Sequence, residues 1–421
     1  MGAMTSRERI LAAIRHEKPD HVPLYSWVLG FTAPAHLRWA NSGRSVQHWY
    51  TGRVEHGHTL PEPWSVEDDF KRVEAWLSMG VDDVLEVSVP WSLAEQARYR
   101  DSVLPAGSQG RSCPVLVREY DTPDGSLRHA VRQTLEKIEP GWPVQPDHVP
   151  IIDDFNIPRA VQHLVGSPAD VPKVRWLYRE PNADQRTAFE KRVSQVGLFA
   201  RDRGVAVQAW TAFGMDAAVW MCGAEGAVML CMDHPDAFSE LLDIIHETDK
   251  ARTELALSAS VDIVCQRGWY SSTDFWSPAI FRRHFKPRVA ELASIAHAQK
   301  KLFGYVMTTG VMTLGPDLME AGVDLLYYVD PVQDHLDLEA ARKLFRKKMA
   351  VAGGVNSGVT LASGSRQEIR AAVRKALDVF GDSGGFILSP VDALFPDTPW
   401  ASVETMIQAW REQQGLPTAR V

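Results

Sequence analysis

Eight short apolar segments, separated by stretches of helical period, recur along this chain and limit its fold more than any other feature. They fall at residues 22–28, 81–89, 205–212, 261–267, 301–307, 324–330, 349–354 and 384–390. The helices between them carry small-residue turns such as Ala321-Gly322-Val323-Asp324. Strands joined by helical crossovers pair in parallel, because the crossover returns the chain to the same end of the sheet. A run of about eight such units closes into a cylinder rather than a doubly wound sheet. The sequence therefore predicts an α/β fold, a single (β/α)8 TIM barrel spanning residues 1–421 as one domain.

One region breaks the rhythm. From about residue 98 to 178 the chain is rich in Pro and Gly turns and poor in helical period. Val115 to Tyr120 and Ser126 to Thr134 flank the turn Thr122-Pro123-Asp124-Gly125, which reads as a β-hairpin. This excursion leaves the loop after the second strand, and two readings stay open: a cover that folds over the barrel mouth, or a merely decorative insertion. Ahead of the first strand, Thr5 followed three residues later by Glu8 gives the capping-box spacing of a short amphipathic helix.

Composition removes several function classes. The formal net charge is -8 with Lys and Arg scattered, so the basic stripe of a nucleic-acid binder is missing. No run of about 18 apolar residues occurs to cross a membrane, and a cytoplasmic protein is expected. Cys113, Cys222, Cys231 and Cys265 are far apart and form no Cys-x-x-Cys pair, which speaks against a zinc ribbon and for reduced thiols.

Three segments carry a family likeness. Thr5-Ser6-Arg7-Glu8-Arg9-Ile10-Leu11-Ala12-Ala13 leads to Pro19-Asp20-His21-Val22-Pro23 near the start. Gly304-Tyr305-Val306-Met307-Thr308-Thr309-Gly310 is followed by Leu318-Met319-Glu320-Ala321-Gly322-Val323-Asp324. Gly353-Gly354-Val355-Asn356 precedes Gly384-Gly385-Phe386-Ile387-Leu388-Ser389-Pro390 and Pro396-Asp397-Thr398-Pro399. In this order they resemble the uroporphyrinogen decarboxylase superfamily, including its corrinoid-linked methyltransferases. The resemblance implies a barrel with its active site at the C-terminal mouth, and a homodimer.

Two branches of that superfamily leave signatures that this chain lacks. The porphyrinogen decarboxylases carry Arg-Gln-Ala-Gly-Arg-Tyr near the start, whereas Trp27 is followed here by Val28-Leu29-Gly30-Phe31-Thr32-Ala33-Pro34. Without those arginines, a polycarboxylate would leave desolvated charges unpaired. The thiol-methylating branch holds zinc with a His-x-Cys motif and a later Cys; the matching positions here are Val306, Thr308 and Asp392. None supplies a soft ligand, so no metal is expected.

The inferred strand ends nominate the residues of the mouth. Asp330, Asp392 and Glu86 are the candidate acids and bases. Asp330 ends an apolar strand, and Glu86 lies inside Val84-Leu85-Glu86-Val87, where a carboxyl needs a partner. Trp27, Trp210, Trp269 and Tyr270 make an aromatic lining, joined by Tyr305, Met307 and Asn356 as substrate contacts. Arg267 would anchor an anionic group of the substrate, its structural alternative being an ion pair with Asp330 or Asp274. Such a lining suits a flat, weakly polar organic molecule.

The resemblance and the aromatic mouth together point to a methyltransferase that moves a methyl group from a small aromatic O-methyl substrate to a corrinoid. No Asp-x-His-x-x-Gly cobalamin pattern occurs, so the corrinoid (cobalamin) would arrive on a separate carrier protein and nothing would be tightly bound here. The competing expectation is a cofactor-independent decarboxylase of a small organic acid or uroporphyrinogen-like substrate, which would turn over without a partner; a third is a barrel that has lost catalysis and only binds a ligand or another protein.

Overall fold

The computed structural model describes residues 4–28, 31, 33, 34, 37, 66–107, 112–133, 159–381, 384–395 and 397–417. The strands are β1 (Val84–Ser88), β2 (Arg98–Leu104), β3 (Val115–Thr122), β4 (Gly125–Arg132), β5 (Ala160–Gln162), β6 (Ala206–Ala212), β7 (Ile263–Gln266), β8 (Leu302–Val306), β9 (Leu325–Val329), β10 (Ala350–Asn356) and β11 (Phe386–Val391). Six helices matter below: α1 (Ser6–Ile14), α2 (Val66–Ser78), α3 (Ala183–Arg203), α4 (Gly214–Cys222), α5 (Ala224–Asp233) and α6 (Pro235–Leu257).

Seven strands form one curled parallel sheet in the order β1-β6-β7-β8-β9-β10-β11, and β2 to β5 form a separate antiparallel sheet. The expected first strand, 22–28, meets both edges of the parallel sheet through single bridges, Leu24 with Leu388, Tyr25 with Asp82 and Val28 with Leu394. Tyr25 N donates to Leu388 O at 3.0 Å, and Asp82 N donates to Leu24 O at 3.0 Å. The segment is not a continuous ladder strand, its bridges at 24 and 25 being separated from that at 28. This arrangement is consistent with a TIM-like barrel.

Parallel strands buried on both faces read as apolar throughout, and β6, β9, β10 and β11 are buried along their whole length. The strand pleat sorts them: Val84, Ala206, Ile263, Leu325, Ala350 and Ile387 pack in an inner cluster, whereas Leu85, Val207, Val264, Leu326, Val351 and Leu388 pack outward against the helices. Between β9 and β10 the register shifts at Gly353, where an added Cβ would lie 2.5 Å from Val329 O. Only glycine fits that approach.

The capping box forms as expected, Thr5 Oγ1 accepting from Glu8 N at 3.2 Å and Glu8 accepting from Thr5 N at 2.8 Å. α1 then seals the N-terminal end of the strands. Ile10, Leu11, Ala13 and Ile14 join the inner cluster, Gly385 N donates to Ala13 O at 2.9 Å, and Arg9 clasps Asp82 at 2.6 Å.

The excursion contains the expected hairpin as β3 and β4, with Pro123 and Asp124 at the turn, and adds edge strands and a 3-10 helix, Pro168–Trp176. Thr134, the expected end of the hairpin, lies outside the described residues. Among the described residues no single helix is long and apolar enough to cross a membrane.

Candidate active site

Glu86 occupies an inward position of β1 and is buried. Three donors converge on its carboxyl: Trp27 Nε1 on Oε2 at 2.8 Å, Tyr25 Oη on Oε1 at 3.1 Å and Gln208 Nε2 on Oε1 at 3.4 Å. Burial pushes its pKa up from the usual carboxyl range to about 7, against the opposing pull of Arg72, Trp27, Trp210 and Tyr25. A carboxyl tuned to neutrality is poised to give or take a proton.

Above this group, on the C-terminal side, three indoles meet. Trp27 lies 6.1 Å from Trp210 and 6.1 Å from Trp269, and Trp210 lies 6.4 Å from Trp269. Trp269 stands on a short 3-10 turn after β7, beside Arg267. The Arg267 guanidinium is sandwiched between Trp220 at 4.7 Å and Trp269 at 4.5 Å, and its Nε is 3.6 Å from Asp216 Oδ2. Its ionic partner is therefore Asp216 of α4, not Asp330 or Asp274. Asp216 also accepts from Tyr270 N at 3.0 Å, which ties the loop to the helix.

The strand ends that carry these groups are clamped from behind. Arg252 of α6, only 1% exposed, donates to Val89 O at 3.0 and 2.8 Å and to Trp210 O at 3.4 Å, while the ring of Phe213 lies 4.3 Å away. Its counter-ion Asp249 accepts from Tyr178 Oη at 2.6 Å, Gly214 N at 2.8 Å and Phe213 N at 3.0 Å.

Asp330 stands at the end of β9 and is fully buried. One oxygen accepts from Val332 N and the other from Asn356 Nδ2, both at 2.8 Å, and Asn356 Oδ1 in turn accepts from Val359 N at 2.7 Å. Both residues thus fasten the loops after β9 and β10. Asp330→Asn is expected to lower the thermal midpoint, a loss of about 1–3 kcal/mol for the disturbed buried acceptor, without moving the pH profile of turnover. An unchanged midpoint with no turnover would instead put Asp330 in the chemistry. Asp392 is half-buried, adopts a left-handed φ of 69°, and acts electrostatically on Tyr328 in the inner cluster.

The remaining sequence candidates point elsewhere. Tyr305 and Met307 alternate with the inward Val306 and pack in the outer layer, where Tyr305 Oη meets Ser271 Oγ at 2.6 Å. Tyr270 turns toward the helices and packs edge-on against Phe275. Three residues that sequence reading did not single out, Tyr25, Gln208 and Tyr327, complete the polar group around Glu86; Tyr327 Oη donates to Gln208 Oε1 at 2.7 Å. Gln208 carried the same signal as Glu86, a polar side chain within an apolar strand.

Cys265 shares this interior, and burial holds its thiol well above the ordinary range. Among the described residues no three His, Cys, Asp or Glu side chains gather as a metal-binding group.

In fold, the chain is similar to a methyltransferase from Methanosarcina mazei, with a TM-score of 0.56 at 18% identity, covering 97% of this chain and 99% of that one. A B12-independent methionine synthase from Shewanella sp. aligns at 12% identity over 94% of this chain and 97% of that one, with a TM-score of 0.46. No curated protein sequence gives a significant match. The family model for uroporphyrinogen decarboxylase matches residues 158–413, more than half of the chain, from the excursion through the last helix. The chain belongs to the uroporphyrinogen decarboxylase family.

Proposed function

We propose that this family member transfers a methyl group from a small aromatic O-methyl substrate to a corrinoid carried on a separate protein, with Glu86 as proton donor. The observation that carries the reading is Glu86 itself, a carboxyl pushed to about 7 and set below tryptophan walls. An aryl ether oxygen leaves poorly as a bare anion in a low-dielectric site, so a positioned acid lowers the barrier. As the methyl C–O bond breaks, its electron pair stays on oxygen, which takes the Glu86 proton. The reduced corrinoid supplies the electron pair that receives the methyl carbon. Trp27, Trp210 and Trp269 offer flat apolar faces to an aryl ring, and Arg267 orients its polar substituent. The reaction class is also that of the Methanosarcina mazei protein of similar fold.

The test is a panel of aryl methyl ethers with a reduced corrinoid, read as phenol release and corrinoid absorbance. Turnover is expected only with the corrinoid present. Its rate should fall as pH rises through about 7, because the acid form of Glu86 is lost. Carbon dioxide release from small aromatic acids without any corrinoid would overturn the proposal. It would favour decarboxylation, for which the buried Arg267 would grip the carboxylate and Glu86 would protonate the carbon.

A further inference from the structure

The hydrogen bonds at Glu86 continue one residue further than its own donors. Gln208 spans the gap between Glu86, 3.4 Å from Nε2, and Tyr327, whose hydroxyl donates to Oε1 at 2.7 Å. All three side chains are buried, on β1, β6 and β9. We propose that Tyr327 is a positioning residue: through Gln208 it sets which end of that amide faces Glu86, and so stabilises the charge left on Glu86 when the proton is given up. The inference rests on the reading of Glu86 as proton donor.

A primary amide offers donors at one end and an acceptor at the other. With Nε2 toward Glu86 it stabilises a carboxylate; with Oε1 toward Glu86 it accepts from a carboxylic acid. A phenol donates more readily than it accepts, so the Tyr327 hydroxyl, donating to Oε1 at 2.7 Å, favours the first. Tyr327 therefore holds Gln208 with Nε2 toward Glu86, a preference that a purely apolar neighbour would not impose. In the observed arrangement both bonds run toward Glu86, the direction that supports the anion.

Around Glu86 the titratable neighbours are Tyr25, Cys265, Tyr327 and Tyr328, each pushed well up by burial and so neutral near pH 7. Arg72 of α2 is the facing cation, already paired with Asp69 at 2.6 Å and Asp83 at 3.1 Å. Asp82, just before β1, is pushed up to about 6 by burial against the pull of Arg9, and burial also raises Asp83; both must be separated in any measurement.

Infrared spectra of the carboxyl stretch across the neutral range, taken as the difference from Glu86→Gln in each background, isolate Glu86. Tyr327→Phe is expected to raise its midpoint by up to about one pH unit, because Gln208 is no longer held to donate to the carboxylate. Gln208→Leu should raise it at least as far, and adding Tyr327→Phe to Gln208→Leu should move it no further. Replacing Tyr327 by a fluorotyrosine, a stronger donor that keeps the ring, should lower it, and this variant decides the matter should the Phe protein fail to fold. An unchanged midpoint, or effects of the two substitutions that add, would overturn the proposal. A shifted midpoint with an unmoved pH profile of turnover would uphold the Tyr327 role and remove Glu86 from the reaction.

Discussion

Glu86→Gln is expected to reduce turnover by about 10²–10⁴-fold while leaving the protein at least as stable as the wild type above neutral pH. The two effects share a cause. In the unfolded chain this carboxyl has its ordinary value of 4.5, and in the folded protein burial raises it to about 7. The folded state therefore holds the proton more tightly. Stability from this group is fully present below the unfolded value and is lost as pH rises from about 4.5 to about 7, in total on the order of 3 kcal/mol. A glutamine carries no such charge and abolishes that loss. Against it stands the amide's single acceptor, which cannot satisfy Trp27, Tyr25 and Gln208 as two carboxylate oxygens do, an offset of about 1–3 kcal/mol. Thermal midpoints measured against pH check the balance: the wild type should decline more steeply than the variant between about pH 5 and 7. Parallel curves would show that Glu86 does not titrate there, and retained turnover would remove it from the chemistry.

The prominence of Glu86 is legible in the sequence, because a carboxyl within Val84-Leu85-Glu86-Val87 demands a partner. The partners are less so. Tyr25 and Tyr327 lie in runs where a tyrosine looks like one more core residue, and its hydroxyl declares a role only when its neighbours are known. Tyr305 and Met307 show the opposite error. They stand at a strand end, as mouth residues should, but the pleat turns them outward and gives the inner face to Val306. Strand rhythm identifies the elements, and a shift of one residue in the pleat reassigns every side chain on them. Arg267 was expected at the mouth, yet Asp216, its partner, lies on a helix some fifty residues earlier, a pairing that only the packing of α4 against the loop after β7 reveals. Counting segments likewise predicts the parallel strands, seven of which form one curled sheet, whereas 22–28 meets its two edges through bridges rather than as a continuous strand.

The largest loss of stability is expected from Arg252→Met. The side chain is similar in length and apolar, so the cavity is small, and what changes is charge. Asp249 would keep its bonds to Tyr178, Gly214 and Phe213 but lose the cation beside it in a site where burial already raises its pKa. Removing one partner of a buried pair costs about 3–5 kcal/mol, far above the near-neutral result of replacing both. The carbonyls of Val89 and Trp210 would also lose their donors, at the two strand ends that carry Glu86 and the indole wall. Urea unfolding should show a lower midpoint with an unchanged slope, since the exposed surface is the same. Adding Asp249→Asn should recover part of the loss, because the stranded charge is gone while the acceptor oxygen remains for one of the backbone donors. If the double variant were less stable than Arg252→Met, the charge would not be the cause, and the clamp on the two carbonyls would have to account for the whole effect.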